Sequence, residues 1–214
     1  MIRFVYADQL STVPLLAETM FRDRAVQFRE RLQWDVTVDE NGFERDEYDA
    51  FNPLYVIWEG EDGRHRGSMR VLPTLGRTMV NDHFTHLTDG VTIQSARIWE
   101  CTRFCISPEA QDDGKRIAGG VMLAGHELGL RFGLLSSIGV FDARMRRIYK
   151  SIGWEPDVIG EGGEGRNKVC AGLWPFSLEI RARIAAAAGL EEDLGRQWFD
   201  ASFPAYPPVE ALAA

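Results

Sequence analysis

One segment of the chain carries charges where a buried strand is expected. The run Trp99-Glu100-Cys101-Thr102-Arg103-Phe104 places a carboxylate and a guanidinium within a largely apolar stretch. A carboxylate can take up a proton and a guanidinium can bind an anion. Charges in a buried strand are costly unless they are paired or used. The segment therefore indicates either a functional site or a structural network of ion pairs.

A second group combines a cation with two aromatic rings. Arg24 and Phe28 are four residues apart, which puts them on one face of a helix. Trp34 follows just beyond the same predicted helix. This arrangement could equally be ordinary packing.

The third group lies in an acidic segment and the strand that follows it. Asp46 and Asp49 are three residues apart within residues 34–53, which are rich in Asp and Glu and are broken by Gly, Asn and Pro. Arg70 follows Gly67-Ser68-Met69, where the glycine allows close approach of the backbone. These three residues supply both signs of charge for a polar site.

The elements that must position these groups follow from the hydrophobic spacing. Helical spacing covers 10–32, as one or two helices, and then 115–132, 142–151 and 177–188. Strand-like patterns cover 2–6, 54–59, 66–72, 97–106, 134–140, 154–159 and 168–173. The strand–helix–strand order predicts an α/β three-layer α/β/α sandwich. We expect a single domain over 1–214, with a peripheral tail from about 190 to 214.

Composition limits the class of protein. The 214 residues hold 24 basic and 32 acidic side chains, a net charge of −8, which argues against a nucleic-acid partner. The 45% of hydrophobic residues argues against disorder. An odd set of three cysteines, no secretion signal pattern and no apolar run long enough for a membrane span together predict a cytoplasmic protein.

Two motifs are expected to be misleading. Residues 160–165 match G-x-G-x-x-G, but strand-like residues follow them, so we predict a hairpin loop rather than a dinucleotide site. His126-Glu127 begins like a zinc-protease helix, yet Leu130 stands where the second histidine should be. We therefore predict no metal site. The four histidines also give no sign of a Ser-His-Asp arrangement.

Four sequence blocks, taken together, resemble the acyl-homoserine-lactone synthases. The blocks are residues 20–28 with Trp34, residues 46–49, residues 67–74 and residues 99–104, all in matching order and spacing. The resemblance covers about residues 20–106. It implies a mixed central sheet related to the N-acetyltransferase fold. It also implies S-adenosylmethionine and an acyl thioester as substrates, with acyl carrier protein or acyl-CoA as donor and with no separate cofactor.

The resemblance also assigns roles by position. Glu100 would be the base that deprotonates the amine of S-adenosylmethionine, directly or through a water. Arg103 would orient either the carboxylate of Glu100 or that of the substrate. The residues expected to bind S-adenosylmethionine are Arg24, Phe28, Trp34, Asp46, Asp49 and Arg70. Because Glu100 and Arg103 are an odd number of residues apart, a regular strand would point them to opposite faces. We therefore expect a β-bulge or a strand end near 101–103.

The acyl chain is expected to lie between the helix at 115–132 and the strand at 134–140. The candidate lining residues are Met122, Leu123, Ser137, Ile138, Val140 and Ile152. The small residues Gly119 and Gly120 would leave room there for a long chain. Arg144, Arg147 and Lys150 form a basic helix that suits an acidic carrier protein, the alternative being an ordinary solvated face.

Two other functions remain open from the sequence. One is an acetyl-CoA-dependent N-acetyltransferase. Residues 116–121 match the phosphate-binding loop motif of such enzymes except at the last position, Val121. The other is a non-catalytic domain that binds a small molecule. Only a synthase would release methylthioadenosine together with a lactone.

Overall fold

Seven strands form one mixed sheet at the centre of the protein. The computed structural model describes residues 1–206, apart from the side chains of residues 111 and 166. The strands are β1 (Ile2–Tyr6), β2 (Leu54–Glu59), β3 (His65–Pro73), β4 (Ile98–Ile106), β5 (Ser136–Asp142), β6 (Asp157–Gly162) and β7 (Val169–Pro175). Their order is β1-β2-β3-β4-β5-β7-β6, with β4 and β5 parallel and the other neighbours antiparallel.

Helices cover both faces of this sheet. They are α1 (Pro14–Arg24), α2 (Met79–His83), α3 (Gly114–Arg131), α4 (Arg146–Ile152), α5 (Leu178–Ala188) and α6 (Leu194–Ser202). Alternate residues of β2 show the division, because Tyr55 and Ile57 pack with α1 while Leu54 and Val56 join the larger core under α3. The predicted three-layer α/β/α sandwich is therefore confirmed.

The glycines of α3 serve helix packing. A Cβ at Gly119 would lie 2.4 Å from the Cβ of Ala188 on α5, and one at Gly120 would lie 2.1 Å from the ring of Trp58 on β2. Both positions are filled by neighbouring elements. The expectation that Gly119 and Gly120 leave space for an acyl chain is therefore wrong.

The predicted tail contains a helix that joins the core. Phe199 of α6 is fully buried and stacks edge-on against Phe4 of β1 and against Phe132. The expectation of a peripheral segment from about residue 190 is thus wrong for α6, because Phe199, and Phe203 one turn further on, pack against Phe4 on the edge strand β1. Residues 207–214 lie outside the described residues.

A buried Asp–His–Ser chain fixes α1 to the start of β3. His65 Nδ1 lies 2.6 Å from Asp23 and its Nε2 lies 2.9 Å from Ser68 Oγ, while its backbone N–H donates to Thr19 at 3.0 Å. The expectation that no histidine has Ser and Asp partners is therefore wrong for His65. Ser68 is 1% exposed, so this buried series of hydrogen bonds has a structural role and joins α1 to β3.

Two negative expectations concern loops and membranes. Residues 157–175 form an antiparallel hairpin, β6 to β7, so the predicted hairpin is confirmed. Residues 160–162 of the glycine-rich motif belong to β6 itself, and only residues 163–165 lie in the connection. No helix in the described part of the chain is long and apolar enough to cross a bilayer.

Candidate active site

Six alternating charges form a closed ring on the α1 side of the sheet. Arg24 Nε donates to Glu44 at 2.6 Å and Arg24 Nη2 donates to Asp49 at 3.1 Å. Arg70 then joins Asp49 at 2.8 Å and Asp46 at 2.9 Å. The full set, called the charge ring below, is Arg24, Glu44, Asp46, Asp49, Arg70 and Arg103.

A β-bulge brings the last member into the charge ring. In the pairing of β3 with β4, Arg103 and Phe104 together oppose Met69 alone, and Arg103 has a φ of +54°. The bulge turns Arg103 to the α1 side, where its Nη2 donates to Asp46 at 2.8 Å and to Glu44 at 2.9 Å. The predicted bulge is confirmed.

Burial makes the pairing within the charge ring necessary. Arg24 is 1% exposed, and Arg70 and Glu44 are each 0% exposed. Burial by itself would raise the pKa of Asp49, but the charges of Arg24 and Arg70 outweigh it and hold that pKa well below its usual range. The charge ring pairs three arginines with three carboxylates, so their formal charges cancel.

Two aromatic side chains, those of Phe28 and Trp34, lie next to the charge ring. Phe28 lies in a π-helix, Ala25–Arg31, that continues α1, and such helices are frequent at functional sites. Phe28 and Trp34 stack with 5.2 Å between centroids and 8° between planes, while Arg103 lies 5.4 Å above Phe28. Phe28 is buried and Trp34 is 40% exposed. A planar ligand could therefore stack on the outer face of Trp34.

Glu100 is held by the backbone of α2. Its Oε2 accepts from Met79 N at 3.0 Å and its Oε1 accepts from Val80 N at 2.6 Å. Burial raises the pKa of Glu100, although these two N–H groups oppose the shift. Each carboxylate oxygen keeps a second lone pair, so Glu100 can still accept a proton from a ligand. Glu100 and Arg103 share the same side of the sheet, yet each has its own partners.

A small apolar cavity of about 20 Å³ lies on the opposite, α3 side of the sheet. Ser137 is at its wall and donates its hydroxyl to the carbonyl of Trp99 at 3.0 Å. Burial raises the pKa of Cys101, also at the wall, to about 12, so that thiol stays protonated. The lining residues are Met69, Val71, Trp99, Cys101, Gly125, Leu128, Leu134, Ser137, Trp154 and Phe176.

Only one of the predicted acyl-chain residues lines this cavity. Ser137 does, while Leu123 packs against α6 beside Gly195. Met122, Ile138 and Ile152 are buried in the surrounding core, and Val140 is half-buried. The predicted helix and strand both contribute to the lining, but α3 does so through Gly125 and Leu128 rather than through Met122 and Leu123. The assignment of an acyl chain to these elements stays a prediction.

A larger cleft of about 380 Å³ lies along α1, beyond the charge ring. Phe21, Phe43 and Tyr55 form much of its wall, and Asp49 is the single predicted site residue that lines it. Asp49 is therefore shared between this cleft and the charge ring.

The basic helix is only partly free to bind an acidic partner. Arg144 pairs with Asp142, and Arg146 pairs with Glu161. Arg147 and Lys150 are exposed and show no carboxylate partner among the described residues.

Glu44 is the site residue that the sequence analysis missed. It pairs with two arginines of the charge ring and is fully buried. Its signal was present, because it lies two residues before Asp46 and so faces the same way in an extended segment. The sequence does not distinguish Glu44 from the surrounding acidic residues, most of which are exposed.

Comparison with known proteins identifies the family of this chain. A family model described as autoinducer synthase matches residues 9–184. An acyl-homoserine-lactone synthase from Rhizobium etli is 37% identical over 86% of this chain and 91% of its own length. Another, from Agrobacterium fabrum, is 32% identical over 73% of this chain and 77% of its own length.

Solved structures support the fold. MesI, a CoA-dependent acyl-homoserine lactone synthase, superposes with a TM-score of 0.78 at 23% identity, covering 89% of this chain and 96% of MesI. BjaI, solved with SAM and isopentyl-CoA, gives 0.77 at 22% identity, covering 89% and 90%. An N-acetyltransferase from Lactobacillus plantarum gives 0.55 at 13% identity, covering 82% and 99%, which bears out the predicted relation to that fold. On the match to the family model and to these relatives, the chain belongs to the autoinducer synthase family and is an acyltransferase.

Proposed function

We propose that the protein transfers an acyl group from a thioester to the amine of S-adenosylmethionine and then closes the product to a homoserine lactone. The observation that carries this proposal is the neutral charge ring beside a further carboxylate, Glu100, and the exposed face of Trp34. Because the charges within the charge ring cancel, an ionised Glu100 gives the site a net negative charge. S-adenosylmethionine is a net cation, so it suits such a site.

The amino-acid end and the adenosyl end of S-adenosylmethionine require different partners. The adenine stacks on the outer face of Trp34, and the sulfonium gains from nearby aromatic rings. Phe28 supports Trp34 from behind, because its own faces are covered by Trp34 and Arg103. The charge ring forms a rigid surface beside this ligand, since each of its charges already has two partners.

The chemical steps then follow. The ammonium group loses a proton to Glu100, whose raised pKa makes it a better acceptor near neutral pH. The free amine attacks the thioester carbonyl, a C–N bond forms, and the thiol leaves. The substrate carboxylate attacks its own γ-carbon, the C–S bond breaks, and methylthioadenosine leaves. S-adenosylmethionine is consumed, so it is a substrate and no resident cofactor is needed.

The acyl donor is proposed to be a carrier-protein thioester, with acyl-CoA as the alternative. The exposed cations Arg147 and Lys150 support the carrier protein, because they are free to attract an acidic surface. The acyl chain enters the apolar cavity on the α3 side, beside Ser137. That cavity holds about 20 Å³, so Met69 and the surrounding rings must move to admit even a short chain.

The test is incubation with S-adenosylmethionine and a series of acyl thioesters on carrier protein and on CoA. Chromatography and mass spectrometry should detect methylthioadenosine and an acyl-homoserine lactone in equal amounts. Free thiol without methylthioadenosine would instead indicate an acetyltransferase. Glu100→Gln should lower kcat by about a hundredfold while the circular dichroism spectrum is unchanged, and a wild-type rate would exclude Glu100 as the base.

A further inference from the structure

Thr78 carries a buried hydroxyl that is not satisfied by the protein. Its side chain is 0% exposed, and its Oγ1 has no hydrogen-bond partner among the described residues. A buried hydroxyl without a partner loses its hydrogen bonds to water and gains nothing in return. Thr78 therefore costs stability in the free protein.

The reason for this lies in Glu100. A threonine that precedes a helical turn usually accepts a hydrogen bond from a backbone N–H in that turn. Here the N–H groups of Met79 and Val80 donate to Glu100 instead, and Thr78 makes no such bond. The carboxylate has replaced the hydroxyl as acceptor and left it without a partner.

Thr78 also adjoins the candidate site. The next residue, Met79, is bonded through its backbone to the proposed base, and its Sδ lies 3.7 Å from Nη1 of Arg103 in the charge ring. Thr78 is thus the chain neighbour of a residue that contacts both the proposed base and the charge ring.

We propose that Thr78 is a substrate-contacting residue whose hydroxyl forms its hydrogen bond with the amino-acid end of S-adenosylmethionine. The inference rests on the proposed function and adds a residue to it. A hydroxyl can accept from an ammonium or amine N–H and can donate to a carboxylate, so it suits either group at that end.

The experiment measures S-adenosylmethionine binding by calorimetry without acyl donor, alongside steady-state kinetics and thermal unfolding. Thr78→Val keeps the shape and removes the hydroxyl. It should weaken S-adenosylmethionine binding about tenfold and raise its KM to match, because a hydrogen bond to a charged group is lost. At saturating S-adenosylmethionine, its KM for the acyl donor should stay at the wild-type value. Thr78→Ser should bind like the wild type.

Stability provides the matched control. Thr74 is equally buried, but its hydroxyl donates to Ile98 O at 2.7 Å and accepts from Ser95 N at 3.0 Å. Thr74→Val should therefore lower the Tm, whereas Thr78→Val should leave it unchanged or raise it.

Two results would overturn the inference. Unchanged S-adenosylmethionine affinity in Thr78→Val would show that the hydroxyl does not touch this substrate, and a lowered Tm would show that it has a structural partner. If the wild type binds S-adenosylmethionine but makes no lactone, the proposed function fails while the Thr78 contact is still measured. If the wild type does not bind it at all, both fail.

Discussion

Substitution of Glu44 tests whether the charge ring supports the fold. Glu44→Gln keeps the shape of the side chain and removes its charge. Arg24, 2.6 Å away, and Arg103, 2.9 Å away, then each lose one of two carboxylate partners while they remain buried.

The magnitude follows from this burial. Removal of one partner of a buried ion pair costs about 3–5 kcal/mol. Each arginine keeps a second carboxylate, and the amide oxygen still accepts a hydrogen bond, so we expect the lower end, about 3 kcal/mol. For a domain of this size the Tm should fall by about 6–12 °C.

Urea unfolding followed by tryptophan fluorescence measures the change, with the m-value expected to stay constant. The matched control is Glu18→Gln, which breaks the exposed pair between Glu18 and Arg22 at 3.0 Å. That pair should contribute less than about 0.5 kcal/mol. If both variants lose the same small amount, the charge ring does not stabilise the fold and the reasoning is refuted.

Three further predictions concern Trp34, His126 and Gly119. Trp34→Ala should raise the KM for S-adenosylmethionine about fivefold with the same lactones formed, and a change in chain length alone would contradict the stacking proposal. Burial lowers the pKa of His126 to about 4, below its unfolded value, so the unfolded state binds more protons and stability is lost as pH falls below about 6.5. Urea unfolding should show about 2 kcal/mol lost between pH 7 and pH 5, with most of that loss absent in His126→Asn. Gly119→Ala should cost about 1–2 kcal/mol, because Ala188 cannot move aside, and mass spectrometry should find the same lactones.

The sequence predicted those parts of the site that depend on local spacing. The odd interval between Glu100 and Arg103 was enough to require a bulge, because strand geometry has a fixed period of two. Strand and helix positions came within a few residues for the same reason. The small residues of α3 indicated close packing of this helix, but they did not identify the residues that pack against it.

Contacts between distant segments could not be predicted. Glu44 meets Arg103 across 59 residues, and His65 meets Asp23 across 42 residues. No periodicity relates such positions, since the docking of α1 and the acidic segment onto the sheet decides them. The lining of the cavity on the α3 side could not be predicted either, because it depends on how α3 is rotated about its axis.

The closed form of the charge ring has an evolutionary consequence. Each of its six members contacts two of opposite sign, and the six come from four separate stretches of the chain. A change of charge at one position removes an ion-pair partner from each of its two neighbours in the charge ring. No single second substitution gives both neighbours a new partner. Substitution at any one of the six positions is therefore selected against, even where that residue does not contact a substrate. Among relatives of this chain we expect the six to be kept or lost as a set.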